Sequence, residues 1–173
     1  MTTAARVSTY ISLGSNLENP LRQVSSAVDE LGKIKSSRLV ARSPWYRSQA
    51  IGPVQPDFIN GVAQLDTTLE AEALLDALQN IEHAHKRVRS QHWGPRTLDL
   101  DLLLYGDQRI TTARLTVPHP ELPRRGFVLY PLADLAPKLI LPNGLSIESL
   151  LTHCHSEGLE RIGDSPEPGS MPG

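Results

Sequence analysis

Leu98-Asp99-Leu100-Asp101-Leu102-Leu103-Leu104-Tyr105 is the most strand-like run in the chain, and Gly106-Asp107 closes it. Its first five residues alternate strictly between leucine and aspartate. On an extended backbone, side chains two apart share a face, roughly 6.6–6.8 Å from one another. Leu98, Leu100 and Leu102 therefore point toward a core, and Asp99 and Asp101 stand side by side on the opposite face. Upstream, residues 89–96 contain Gly94 and Pro95 and break a helix in which Leu74, Leu75, Leu78 and Ile81 recur on one face. Thr67 and Glu70 have capping-box spacing at its start. Residues 58–66 and 39–47 read as strands, joined by a loop over 48–57 that holds Gly52, Pro53 and Pro56. Earlier still, Asn19, Pro20 and Gly32 punctuate a helix whose apolar stripe is Leu21, Val24, Val28 and Leu31. The first strand, 7–13, ends at Gly14-Ser15-Asn16.

The order β-α-β-β-α-β is the split βαβ pattern of a ferredoxin-like α+β sandwich, with shorter elements C-terminal to it laid on the core. At 173 residues, 39% hydrophobic and 21% charged, the chain has the size and composition of one packed domain. We assign it to 1–162 and read the Pro-, Gly-, Ser- and Glu-rich residues 163–173 as a disordered tail. There is no apolar run long enough for a membrane span and no apolar leader at the start, and a single cysteine, Cys154, allows no internal disulfide. These features predict a cytoplasmic protein. A net charge of −2 predicts no general affinity for nucleic acid or anionic membrane.

That net charge is unevenly spread. From residue 87 to 125 there are seven arginines (87, 89, 96, 109, 114, 124, 125), no lysine, and four acids, a surplus of +3 that leaves −5 elsewhere. Arginine offers a planar, permanently charged fork for phosphate oxygens. Two adjacent carboxylates repel unless a cation sits between them or one is protonated, and a hard oxygen pair without nearby His or Cys favours Mg²⁺ over zinc. Carboxylates, metal and arginine together are the parts of polyphosphate chemistry. Neither G-x-x-x-x-G-K-[ST] nor G-x-G-x-x-G is present, so arginine and metal, not a glycine-rich loop, would hold the phosphates.

Trp93-Gly94-Pro95-Arg96-Thr97-Leu98-Asp99-Leu100-Asp101 resembles the signature of the 6-hydroxymethyl-7,8-dihydropterin pyrophosphokinases of folate biosynthesis. The resemblance continues in Leu115-Thr116-Val117-Pro118-His119-Pro120, Arg125-Gly126-Phe127, Leu13-Gly14-Ser15-Asn16-Leu17, and Gly52-Pro53 with Gln55-Pro56-Asp57-Phe58-Ile59-Asn60, spanning roughly residues 8–152 in unbroken order. It implies transfer of diphosphate from ATP, the co-substrate, to the hydroxymethyl group of the pterin, with release of AMP. By the same resemblance Asp99 and Asp101 hold two Mg²⁺ ions, and Arg87 and Arg96 are the catalytic arginines. ATP contacts fall on Gln79, Glu82, Arg89, Arg114, Thr116 and His119. The pterin falls to Ser48, Gln49, Ile51, Phe58, Asn60, Trp93 and Phe127, with the two phenylalanines as its sandwiching rings and Asn60 as a donor–acceptor edge. A monomer is expected, with ATP and the pterin as its small-molecule partners. No side chain stands out as a general base. Ser90-Gln91-His92 replaces a basic residue found in many relatives, and Gln49-Ala50 replaces a Pro-rich segment.

Two rival functions remain open on sequence. One is a non-catalytic small-molecule- or RNA-binding module of this topology: an RNA reader would carry the aromatic motif K/R-G-F/Y-G/A-F-V-x-F/Y, which is missing here, and an effector-binding module would not need Asp99 and Asp101 as an ionised pair. A different Mg²⁺-dependent phosphotransferase on the same fold would release ADP in place of AMP. His153-Cys154-His155 reads as a solvated helix end, and His83 and His85 read as part of a polar helix face.

Overall fold

The central sheet runs in the order β5-β1-β4-β3-β8, with β2 also pairing β4, and every pairing is antiparallel. Its strands are β1 (Val7–Ser15), β2 (Ser37–Arg42), β3 (Trp45–Ser48), β4 (Phe58–Thr67), β5 (Asp99–Tyr105) and β8 (Leu159–Gly163). The two crossover helices are α1 (Pro20–Leu31) and α2 (Ala71–Val88). Beyond β5 come the small ribbon β6 (Ile110–Thr111) and β7 (Thr116–Val117), a 3-10 turn Leu122–Arg124, and helices α3 (Gly126–Leu135) and α4 (Ile147–Leu151). This computed structural model describes residues 6–16, 19–49, 57–88, 98–154 and 158–163. The strand order is the one the split βαβ reading requires, with the first and last strands of the motif, β1 and β5, adjacent and β5 at the sheet edge. No helix among the described residues is long and apolar enough to cross a membrane.

Alternation along the strands builds a core on each face. Ile11 and Leu13 of β1, Ile59, Ala63 and Leu65 of β4, and Leu100 and Leu102 of β5 bury against Val24, Ala27 and Leu31 of α1 and Leu74 and Leu78 of α2. The opposite face carries a second cluster, in which Val62, Leu103 and Leu104 meet Leu122 of the 3-10 turn and Val128, Leu129 and Leu132 of α3. Helix α3 therefore forms a third layer, packing on β3 and β4 from the side opposite α1 and α2.

Several local expectations need correction. The strand read over 39–47 is two, because Pro44 lacks an N–H and the chain kinks there. Ser43 keeps the pairing across the kink: its N–H donates to the Val62 carbonyl at 2.8 Å, and its hydroxyl accepts from the Val62 N–H at 2.9 Å. The capping box at 67–70 is not formed: Thr67 ends β4 and its hydroxyl accepts from Leu69, while the helix begins at Ala71. Asn19 precedes α1 with a left-handed backbone (φ 60°) and no side-chain cap bond. Gly163, read as the start of the tail, closes β8, and the remainder, 164–173, lies outside the described residues. His85 is buried, not part of a solvated face.

Candidate active site

The two aspartates sit where alternation predicts. Leu98, Leu100 and Leu102 are buried in the core beneath α1 and α2, and Asp99 and Asp101 are half-buried on the other face. Register places their neighbours. Gly14 of β1 pairs with Asp99 on one side and with Asn60 of β4 on the other, and Asn60 in turn pairs with Tyr46 of β3. One row across the sheet face is therefore Tyr46, Asn60, Gly14 and Asp99. The next row is Val62, Ser12 and Asp101, and beyond Asn60 lies the pair Ser48 and Phe58.

Gly14 is a close-approach residue. A Cβ at this position would come within 2.9 Å of Asn60 Nδ2, so the amide of Asn60 lies over the gap that glycine leaves. The amide is also oriented from behind: the Ser48 hydroxyl donates to Asn60 Oδ1 at 2.7 Å. Asn60 is 6% exposed, so its NH₂ is fixed, nearly dry, and turned toward the β1 side. Such a group suits recognition of a heterocycle edge. Phe58 stands on the same face two residues away, and Phe127 occupies the first turn of α3, partly buried against the second core. The Arg125 guanidinium lies 5.7 Å from the centre of the Phe127 ring.

His119 is held next to the carboxylate pair. Its backbone N–H donates to the Leu103 carbonyl at 3.0 Å, which ties the segment after β7 to β5. Its Nδ1 accepts the Glu121 backbone N–H at 3.1 Å, so in the neutral ring the proton sits on Nε2. Nε2 is 4.0 Å from Asp101 Oδ1, and the Asp101 side chain remains 41% exposed. A proton donor beside a half-open carboxylate leaves that carboxylate available to a further ligand.

The donor set fits a hard cation. Two carboxylates share a face, and among the described residues there is no cluster of three or more His, Cys, Asp or Glu side chains. A magnesium ion, which keeps several waters and takes one or two protein carboxylates together with substrate phosphates, needs no more than this.

The other expected residues divide. Gln79 and Arg114 meet, with the guanidinium Nη2 3.4 Å from Gln79 Oε1, but Arg114 also reaches Asp76 at 2.6 Å and Glu72 at 3.6 Å on α2. The hydrogen bond to Asp76 pushes the Arg114 pKa further up. Thr116 lies on β7, exposed, and Gln49 is exposed at the end of β3 with its N–H on the Gly158 carbonyl. Glu82 does not present a free carboxylate: Oε2 accepts the backbone N–H of Leu100 at 2.7 Å. Ile51, Arg89, Trp93 and Arg96 lie outside the described residues, and Arg87 falls in the last turn of α2 with its side chain outside them. The structure adds Gly14, Ser12 and Arg125 to the site. Strand alternation carried the signal for Ser12, and the glycine that ends the 7–13 strand carried it for Gly14. A cleft of about 1080 Å³ on the α1 side, lined by Arg22, Asp29, Arg42, Arg47 and Asp57 among others, includes neither Asp99 nor Asp101.

Residues 10–137 match the sequence profile of 7,8-dihydro-6-hydroxymethylpterin-pyrophosphokinase. The chain is 54% identical over 154 residues to a 2-amino-4-hydroxy-6-hydroxymethyldihydropteridine pyrophosphokinase of Pseudomonas aeruginosa, covering 88% of this chain and 95% of the relative. It is 44% identical over 146 residues to the protein of the same name from Haemophilus influenzae, covering 84% and 91%. Among solved structures, Plasmodium falciparum HPPK-DHPS A437G with pteroate superposes with a TM-score of 0.67 at 12% identity, covering 88% of this chain and 44% of that one. At that identity the likeness is one of fold, and the chain spans less than half of the Plasmodium protein's length.

Proposed function

The chain belongs to the 7,8-dihydro-6-hydroxymethylpterin-pyrophosphokinase family, and from that premise we propose which of its residues carry the reaction and what they require. The reaction is diphosphate transfer from ATP to the hydroxymethyl group of 6-hydroxymethyl-7,8-dihydropterin, a step of folate biosynthesis. The observation that carries the assignment of residues is the single row Asn60, Gly14, Asp99, with Asp101 and His119 beside it. A pterin-reading amide and a phosphate-side carboxylate pair flank one glycine, about two strand spacings or ~10 Å apart.

Asp99 and Asp101 hold Mg²⁺, two ions in our reading, which neutralise the charge on the transferring diphosphate. Asn60, oriented by Ser48, reads the pterin edge, with Gln49 and Ile51 lending backbone groups. Phe58 and Phe127 cover the faces of the ring, and Trp93 closes over it. His119, with its proton on Nε2, donates toward a phosphate oxygen next to Asp101. Arg87 and Arg96 stabilise charge on the moving phosphates, and Arg89, Arg114, Thr116 and Gln79 complete the nucleotide side. Arg114 reaches a phosphate only by leaving Asp76, and the same charge can exchange one anionic partner for another at an exposed position. The catalytic unit is a monomer, since the described site residues come from one sheet face, its covering segments and helix α2 of a single chain. A lone thiol, Cys154, suits the reducing cytosol.

The test is a product assay with Mg²⁺, ATP and the pterin, separating nucleotides by chromatography. AMP should form only when both Mg²⁺ and pterin are present, and ADP in its place would identify a different phosphotransferase. Asp99→Asn and Asp101→Asn should each lower kcat at least about 100-fold, because each removes a charged ligand made for the transition state. Their far-UV circular dichroism should match the parent, since both carboxylates point away from the core. Full activity in either variant would overturn the metal assignment.

A further inference from the structure

Helix α2 reaches across to the sheet edge at one backbone atom, and that atom lies between the two aspartates. Among the described residues, strand β5 has a strand partner, β1, on one side only. The N–H of Leu100, the residue that separates Asp99 from Asp101, is donated to Glu82 Oε2 at 2.7 Å. A carboxylate acceptor makes this a charge-assisted bond, the stronger kind. It also meets an edge N–H that the β1 ladder does not take.

The bond is anchored at both ends. Leu100 is 4% exposed, with its side chain in the core under α1 and α2, so strand position and core packing are set together. On α2, Leu78 lies one turn before Glu82 and is fully buried. His85, nearly a turn after it, clamps α2 to α1, with Nδ1 2.6 Å from Gln23 Oε1 and Nε2 2.9 Å from Glu30 Oε1. The helix turn that carries Glu82 is thus fixed to α1 on one side and to β5 on the other.

We infer that Glu82 is a positioning residue for the aspartate pair: by holding the Leu100 N–H it fixes the extended backbone that sets Asp99 and Asp101 side by side. This rests on the reading of Asp99 and Asp101 as the cation ligands, but it assigns Glu82 to the strand that carries them, not to the nucleotide. What the bond needs first is an acceptor oxygen at the Glu82 position, and the negative charge strengthens it. Glutamine supplies that oxygen and alanine does not, while alanine, the best helix former, leaves α2 itself intact.

The experiment compares the full chain with Glu82→Gln and Glu82→Ala by two readouts. One is amide hydrogen exchange at Leu100, and the other is Mn²⁺ affinity by electron paramagnetic resonance in the presence of α,β-methylene-ATP. Glu82→Gln, which keeps the oxygen and loses the charge, should shift both by clearly less than Glu82→Ala. Glu82→Ala should speed exchange at Leu100 and weaken Mn²⁺ about 10–100-fold, the range seen when a group that orients a metal ligand is lost. Unchanged Leu100 exchange in Glu82→Ala overturns the inference. So does an equal loss of Mn²⁺ affinity in Glu82→Gln and Glu82→Ala, since that would make charge the property that matters. If Glu82→Ala does not fold, Glu82→Met, which keeps the side-chain length and lacks the oxygen, takes its place with the same expected losses, and unchanged Leu100 exchange in it rejects the inference. Failure of the parent protein to bind Mn²⁺ would instead count against the metal assignment, and the exchange readout would still test the Glu82 bond.

Discussion

At Gly14 the side chain that is missing matters more than those around it. The Asn60 amide occupies the space a Cβ would need, 2.9 Å away, and Ser48 holds the amide's other end. Gly14→Ala should therefore push the amide off its present line while leaving Asp99, across the other side of β1, in register. Pterin affinity should fall about tenfold or more, ~1.4 kcal/mol, with ATP affinity nearly unchanged. Calorimetric titration with each ligand checks this, and an unchanged pterin affinity would mean that Asn60 does not contact the ring. His119 shows a similar economy of means. A backbone N–H fixes its tautomer, so the residue needs no second side chain to aim Nε2 at the aspartate pair.

At the scale of elements, the site depends on how closely β3 and β4 lie. The Trp45 ring crosses directly over Gly61, where a Cβ would sit 2.5 Å from a ring carbon. Trp45 is 1% exposed and stacks under the Arg42 guanidinium at 4.9 Å, so it has no room to yield. Gly61→Ala should destabilise the fold by about 1–3 kcal/mol, the usual cost of overpacking a closed core. Urea unfolding monitored by circular dichroism measures it; a variant as stable as the parent would show that the ring can move aside. The elements also show what a sequence discloses. Strands 7–13, 58–66 and 98–105 and the first helix were legible because each has a clean period and its own punctuation. The split at Pro44 was hidden by Ser43, which keeps the pairing continuous with its own hydroxyl. Helix α3 was not legible, because its run Phe127-Val128-Leu129-Tyr130-Pro131-Leu132 is apolar all round and contains a proline. His85 passed for a surface residue because the partners that bury it, Gln23 and Glu30, are about 60 residues away. Likewise the aspartate pair could be read from alternation alone, whereas Glu82's hold on the Leu100 N–H depends on a helix packing no local pattern discloses.

For the molecule as a whole, three distant segments meet at one carboxylate. The Tyr46 hydroxyl of β3 donates to Asp134 Oδ2 of α3, and Arg161 of β8 donates to Asp134 Oδ1 at 2.9 Å. The Arg161 guanidinium also lies 6.0 Å from the centre of the Tyr46 ring. Burial, with help from the bond to Asp134, pushes the Tyr46 pKa from 10.0 up to about 12. The fold therefore favours the neutral phenol: this contribution to stability is complete below pH 10 and is lost as pH rises through about 12. Stability should fall over that window in the parent and fall less in Tyr46→Phe, which should also be about 1–3 kcal/mol less stable at neutral pH for loss of a hydrogen bond to a charged group. Denaturant melts from pH 8 to 12 test both statements, and identical pH dependence in the two proteins would reject them.

The outermost strand of that assembly also sets a timetable. Strand β3 finds its first neighbour, β4, soon after it is made, but its other neighbour is β8, and about 90 residues separate Thr67 from Leu159. At elongation rates of roughly 5–20 residues per second, the ribosome takes on the order of 5–20 s to deliver the covering strand. During that interval a nascent chain presents the unpaired backbone of β3, next to Asn60, to every other extended segment in the cell. The exposed Arg47 in the middle of β3 places a charge on that edge, the usual safeguard against pairing with the wrong strand.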